Sequence, residues 1–298
     1  MRFCLGVFAL FLVNFTFGQF DPVFSGNVGD HSWLNPATTG IENKYAAHAV
    51  YRIDWVNAGT PSKPHKYIFS GESNWVFNQQ VEGKDAWKST LGIGLNIAGD
   101  HYVMTGNQFI KIPLSKPIKI YSSTLSFGIA PGFLRKSFIS EYSAPNDPFA
   151  PTETVKSAQT KFDLDLGAHW TNDQIYASFS MVHVTTPRFT EGNVTVPIHY
   201  YFAARAKLDI KNCKLIPSLM IRNNNVFSAV ETQIFFQLRD EILTLGLGRR
   251  FGQAILFSIA TKYEHFAFSY FYDLNRVQST NAIYGAHEFR LSYQIAND

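Results

Sequence analysis

Asp163, Asp165 and His169 alternate along one short stretch of the chain. Period-two spacing puts all three on one face of a β-strand and makes them the best metal site the sequence offers. The competing reading is that they face a wet lumen and pair with inward cations such as Lys161, Arg205 and Lys207. That second reading is adopted, and no metal is expected. The nine histidines are dispersed, with no H-x-x-x-H or H-E-x-x-H pair to seat zinc. There is no G-x-S-x-G elbow for an acyl-transfer nucleophile. Gly92 and Gly94, and likewise Gly246 and Gly248, look like fragments of a phosphate loop but lack the third glycine in register. They are read as letting strands bend or making room inside a barrel. Neither a cofactor nor an enzymatic activity is expected.

The elements that must position these side chains are strands. From Tyr45 to Trp55 the odd positions are Tyr45, Ala47, Ala49, Tyr51, Ile53 and Trp55, and the positions between include His48, Arg52 and Asp54. Alternate side chains of a strand face opposite sides, so one face is apolar with aromatic ends and the other is charged. Leu91, Ile93, Leu95 and Ile97 alternate in the same way with Thr90, Gly92, Gly94 and Asn96. Phe162, Leu164, Leu166 and Trp170 alternate with Lys161, Asp163, Asp165 and His169. Further strands are expected near residues 65–76, 104–114, 119–133, 174–184, 198–209, 214–222, 227–238, 241–250, 254–263, 265–273 and 285–296. This predicts an all-β, single-domain transmembrane antiparallel β-barrel of about 14 strands. Its lipid-facing band includes Ile93, Leu95, Leu164, Leu166 and Leu245, with Asn96 facing the lumen.

Composition supports a barrel. Charged residues make up 16% and aromatics 15%, while mean hydropathy is −0.08. A helical membrane protein would be more hydrophobic and a soluble one more charged. The net charge of +3 is too small and too scattered to argue for nucleic acid. Arg2, the apolar run from Phe3 to Phe17 and the small Gly18 read as a cleaved export signal over residues 1–18. Cys4 goes with it, which leaves Cys213 alone, without a disulfide partner. A closed ring of strand hydrogen bonds is then one way to hold the fold.

Residues 19–44 show neither period, and carry Pro22, Gly26, Pro36 and Gly40. They are expected to plug the lumen or lie across its periplasmic mouth, with Trp33, Leu34, Asn35 and Pro36 as the candidate plug. Residues 45–298 form the barrel. With the N-terminus in the periplasm, the longest connections, Leu134–Gln159, Thr185–Pro197 and Leu274–Tyr284, fall outside the cell, and most of the short turns fall inside. The inward parity carries Arg52, Asp54, Glu72, Lys111, Lys161, Asp163, Asp165, Arg205, Lys207, Glu231, Glu288 and Arg290. Mixed signs suit a lumen bridged by ion pairs more than a porin with single-sign rings.

These residues also carry a likeness. Gln19, Asp21, Pro22, Phe24 and Ser25, then Leu34, Asn35, Pro36, Ala37 and Gly40, then Tyr51, Arg52 and Trp55 resemble the opening of the PorP/SprF family of Bacteroidota. Asn146, Asp147, Pro148 and Phe149, followed by Phe162, Leu164, Leu166, Gly167 and Ala168, are similar to its long outer loop and next hairpin. Tyr272 and Asp273, with Gly285 to Tyr293, resemble its closing strands. Asp54 departs from the family's usual glutamine, and Asn297 and Asp298 trail where an aromatic residue often closes a barrel.

The resemblance implies an outer-membrane component of the type IX secretion and gliding machinery. Such a component anchors or helps export surface adhesins through their C-terminal sorting domain. Expected partners are that adhesin domain, other type IX secretion components and outer-membrane lipids. The alternative is a passive pore or a FadL-like small-molecule transporter. Tyr142, Asn146, Asp147 and Phe149, in the longest outer connection, are the candidate partner-binding residues: two aromatic anchors and two turn formers.

Overall fold

The computed structural model describes residues 22–26, 32–56, 63–79, 87–102, 105–142, 153–190, 193–211, 213–238, 242–276 and 282–296. The expected leader at 1–18 lies outside them, as do Asn146, Asp147 and Phe149.

The chain opens its sheet with β1 (Asn43–Val56), β2 (His65–Gln79) and β3 (Trp87–His101), each paired antiparallel to the next. The fourth stave is broken into β4 (Thr105–Lys111) and β5 (Leu114–Ile120), both lying between β3 and β6 (Ser123–Tyr142). The break falls at Pro113, which has no N–H to give a ladder. Its carbonyl still accepts from the Gly94 N–H at 2.9 Å, so the wall stays closed.

β7 (Glu153–Thr171) and β8 (Ile175–Val182) follow, then a small hairpin of β9 (Arg188–Phe189) and β10 (Val194–Thr195) that belongs to a separate sheet. The eighth stave is again split, into β11 (His199–Ala206) and β12 (Leu208–Ile210). The wall continues through β13 (Cys213–Asn223), β14 (Ser228–Leu238), β15 (Leu243–Arg250), β16 (Ala254–Tyr263), β17 (Phe266–Arg276) and β18 (Ile283–Ala296). β18 pairs with β1 from Asn43↔Ala296 to Val56↔Gly285, closing fourteen antiparallel staves into a barrel. Closure removes the edge strands that a hydrocarbon environment would leave unsatisfied.

Parity is as expected. On the outer face Leu95 is 45% exposed and Phe162 is 51% exposed, while the next residues along, Asn96 and Asp163, are 1% and 0% exposed. Leu245 is also exposed, and Ile93, Leu164 and Leu166 are half-buried on the same parity. The buried cluster lies inside the barrel. It combines Val50, Ile68, Phe109, Leu134, Tyr201 and Met220 from the wall with Phe24, Trp33 and Leu34 from the N-terminal segment.

The connections differ from expectation at the outer end. Leu134–Gln159 is not one long loop: β6 runs on to Tyr142 and β7 begins at Glu153, so Phe138 and Ile139 are strand residues paired with Ser157 and Lys156. Thr185–Pro197 contains the β9–β10 hairpin. Leu274 lies within β17, which extends to Arg276. These stretches mix apolar and polar residues too irregularly for period two to mark them, yet a hairpin ladder already started extends at little further entropic cost.

Candidate functional site

The N-terminal segment sits within the ring of inward side chains, and its backbone turn is built from a short motif. Asn35 caps a single 3₁₀ turn at Pro36–Thr38: its side-chain oxygen accepts from the Ala37 N–H at 2.9 Å, and Pro36 at the first position needs no donor partner. Gly40 ends the turn at φ +63°, where a side chain would be strained and would also meet the Ser73 carbonyl.

The same Asn35 reaches the wall. Its amide donates to the carbonyls of Ala168 (3.0 Å) and Phe179 (3.3 Å), tying β7 to β8. Ser180 donates to the Leu34 carbonyl and Ser115 to the Thr39 carbonyl, both at 2.6 Å, and Ser32 bonds Asn96 at 3.1 Å. Gly92, Gly128 and Gly167 line this seat. A β-carbon on any of them would collide with Thr39, with Pro36 and Ala37, or with Asn35. The glycine signal that resembled a phosphate loop is thus, at Gly92, clearance for a polypeptide. Trp33 packs edge-on against Phe109 at 5.2 Å, with the Lys111 ammonium 5.7 Å from its ring.

Upstream, Ser25 is held in a network of buried charges. Arg52 lies 2.8 Å from Asp54, 2.9 Å from Asp273 and 3.3 Å from Glu288. Asp54 also takes Lys66 at 2.6 Å, and Glu231 takes Arg250 at 2.8 Å and Arg222 at 3.4 Å. Ser25 joins these groups. Its N–H donates to Glu288 at 2.7 Å, its hydroxyl donates to Asp273 at 2.5 Å, and its carbonyl accepts from Gln233 at 2.7 Å. Isolated buried charges would be prohibitively costly, so each persists only because it is paired and hydrogen-bonded.

A second cluster surrounds Asp163 and Asp165. Sequence parity pointed to Lys161, Arg205 and Lys207 as their partners. Instead the Lys111 ammonium lies 3.0 Å from Asp163 and 2.6 Å from Asp165, and the His183 ring bonds Asp163 at 2.5 Å. Arg205 turns to Glu42 at 3.3 Å and lies over the Tyr176 ring. His169 packs against Tyr176, 4.6 Å between ring centroids, and is not part of the cluster. Ligand atoms of Asp163, Asp165 and His183 do converge within 4.8 Å of one another. The ammonium of Lys111 already supplies the positive charge between the two carboxylates, so the arrangement fits an ion-pair cluster better than a metal seat.

A family profile described as type IX secretion system membrane protein PorP/SprF matches residues 17–293. The chain belongs to the PorP/SprF family. It is therefore a membrane component of the type IX secretion system, and its barrel places it in the outer membrane. No curated protein matches the chain. Among solved structures, a FadL homologue of Pseudomonas aeruginosa aligns with 87% of this chain and 92% of its own, at a TM-score of 0.52 and 11% identity. The toluene transporter TodX of P. putida aligns with 91% and 95%, at 0.49 and 10%. At such identities the first likeness is one of fold alone.

Within this PorP/SprF barrel the four candidate plug residues come together. Trp33, Leu34, Asn35 and Pro36 are all buried. Of the candidate partner-binding residues, Tyr142 ends β6 opposite Glu153. Sequence reasoning missed Lys66, Arg222, Arg250, Asp273 and His183. The first four lie on inward parity and could have been collected by the rule that found Arg52. His183 lies past the last rung of β8, where parity no longer applies.

Proposed function

We propose that this PorP/SprF barrel is a surface anchor. It holds the C-terminal sorting domain of a secreted adhesin at the outer face of the membrane and touches other type IX secretion components from below, with outer-membrane lipids around its apolar band. In this reading residues 1–18 are a cleaved leader, 19–44 a plug and 45–298 the barrel. Tyr142 and Phe149 serve as aromatic anchors, and Asn146 and Asp147 shape the turn between them.

One observation carries the proposal. Ser25 and Asn35 of the N-terminal segment are bonded to the inner wall, which is braced by paired charges of both signs, such as Arg52 with Asp273 and Glu288. That arrangement supports a rigid platform over a passive pore. The test has two parts. Cells lacking the chain should lose adhesins from their surface, and the purified protein should give no steady conductance in a planar bilayer. Adhesins displayed at full level without the chain would overturn the reading.

A pore or small-molecule transporter is the second reading. A cavity of about 280 Å³ lined by Phe109, Leu134, Val194, Val196 and Pro197, beside Tyr102 and Lys136, favours it. A large ohmic conductance would support that reading instead.

A further inference from the structure

The wall has a notch beside β7. The ladder between β7 and β8 spans Thr171↔Tyr176 to Leu166↔Met181, while β7 continues to Glu153 and stays paired with β6 the whole way. Past the last rung, the Leu164 carbonyl accepts from the Val184 N–H at 2.9 Å, and the Phe162 carbonyl accepts from the Thr185 hydroxyl at 3.3 Å. Main-chain groups of a strand alternate in direction, so Thr160, Ala158 and Lys156 turn their N–H and C=O toward the same side. Among the described residues no hydrogen bond reaches those groups, and all three residues are exposed.

The chain that would have continued β8 is turned away by a built device. His183, fully buried, adopts φ +61°, and Thr186 adopts φ +45°. The His183 N–H donates to Asp165 at 3.1 Å, its ring bonds Asp163, and the Thr185 hydroxyl donates to Asp163 at 3.1 Å. Phe189 is then buried in the inner core, and Thr190 bonds the side chain of Gln159. The Asp163–Asp165–Lys111 cluster thus leaves Thr160, Ala158 and Lys156 without a hydrogen-bonded strand on this side, although β9 passes close to β7.

At this edge the outward residues change from aromatic to mainly polar. Phe133 and Phe162 form an outward aromatic pair, 6.0 Å between centroids. Beyond them the outward cross-strand pairs are Arg135 with Thr160, Ser137 with Ala158 and Ile139 with Lys156. Proteins usually blunt such an edge with lysine, proline, a bulge or a cover, and Lys156 guards it against any strand that is not acidic. Here residues 156–162 contain no proline, and their pairing to β6 has no register shift. On the outward face the flanking charges are Arg135 and Lys156, while Lys136 is buried on Asn107, Lys161 lies on the inward parity, and the acidic residues of this hairpin, Glu141 and Glu153, lie at its far end.

We propose that the β7 edge at Lys156, Ala158 and Thr160 is a docking strand that accepts an extended, acidic β-strand of the secreted protein by strand addition. It rests on the anchor reading and specifies how the partner is held. Backbone bonds supply the affinity and alternate side chains the selectivity. A second copy of this chain is disfavoured as occupant, because it would bring a second Arg135 and Lys156 to the same outward face.

The test separates this proposal from the reading beneath it. Surface proteins lost from cells without the chain define the cargo. Lys156→Pro with Ala158→Pro removes two edge donors but leaves the β6 ladder intact, since those N–H groups face the notch. Lys156→Ser with Ala158→Ser removes the side chains and keeps the donors. Cargo display should fall about tenfold or more in the proline variant and much less in the serine variant. Full display in a proline variant that folds normally would overturn the docking strand, while the anchor reading would stand if cells lacking the chain still lose the cargo. Should the proline variant not assemble, amide exchange on the unaltered protein decides. Adding the purified C-terminal fragment of a lost surface protein should slow exchange at Lys156, Ala158 and Thr160, and unchanged exchange there would overturn it.

Discussion

The side-chain oxygen of Asn35 stands where a β-carbon of residue 167 would be, so no side chain fits at Gly167 while the N-terminal segment is seated. Asn35 also bonds both walls of the β7–β8 hairpin, which makes this one contact both a steric lock and a polar one.

Gly167→Val is therefore expected to unseat the segment while leaving the barrel formed. Overpacking a close contact costs about 1–3 kcal/mol. A lower melting temperature, together with a new conductance in planar bilayers, would register it. Gly71→Ala is the control, because a β-carbon there meets no atom within 4 Å. Equal effects of the two substitutions would remove the lock.

Leu95→Arg should cost about 2–4 kcal/mol if the residue lies near the bilayer midplane. Arginine at the adjacent Asn96 is expected from sequence parity to cost less. The structure revises that: Asn96 is 1% exposed and bonds Ser32, so a long side chain would displace the segment. The cleaner comparison is Asn96→Ala, which loses one hydrogen bond worth about 1 kcal/mol. Folding equilibria in urea with lipid vesicles measure both, and equal penalties would contradict the assigned faces.

Asp273→Ala leaves Arg52 and Arg250 without a carboxylate between them, since they lie 2.9 and 3.5 Å from it. Breaking a buried pair by removing one partner costs about 3–5 kcal/mol. A shift of that size in the unfolding midpoint is expected. An unchanged midpoint would mean that water already screens the lumen.

Tyr142 and Phe149 changed together to Ala should preserve heat-modifiable gel migration, the sign of an assembled barrel, and reduce adhesin retention. Full adhesin display in such cells would take these two residues out of the anchor.

Much of this was decided by sequence. Alternation at Tyr45–Trp55 and Phe162–Trp170 determined strand, face and barrel, because the side-chain period of a strand is fixed by backbone geometry and needs no partner. The same rule marked Arg52, Asp54, Glu231 and Glu288 as inward.

Parity could not say who faces whom. That Lys111 and His183, not Lys161, Arg205 or Lys207, hold Asp163 and Asp165 depends on stagger between strands and on a chain reversal after Val182, neither of which is encoded in any one strand. The seat of Asn35 is likewise a tertiary fact. It needs Gly92, Gly128 and Gly167, three residues remote in sequence, to come together on one inner wall, and only the closed ring of hydrogen bonds sets that distance.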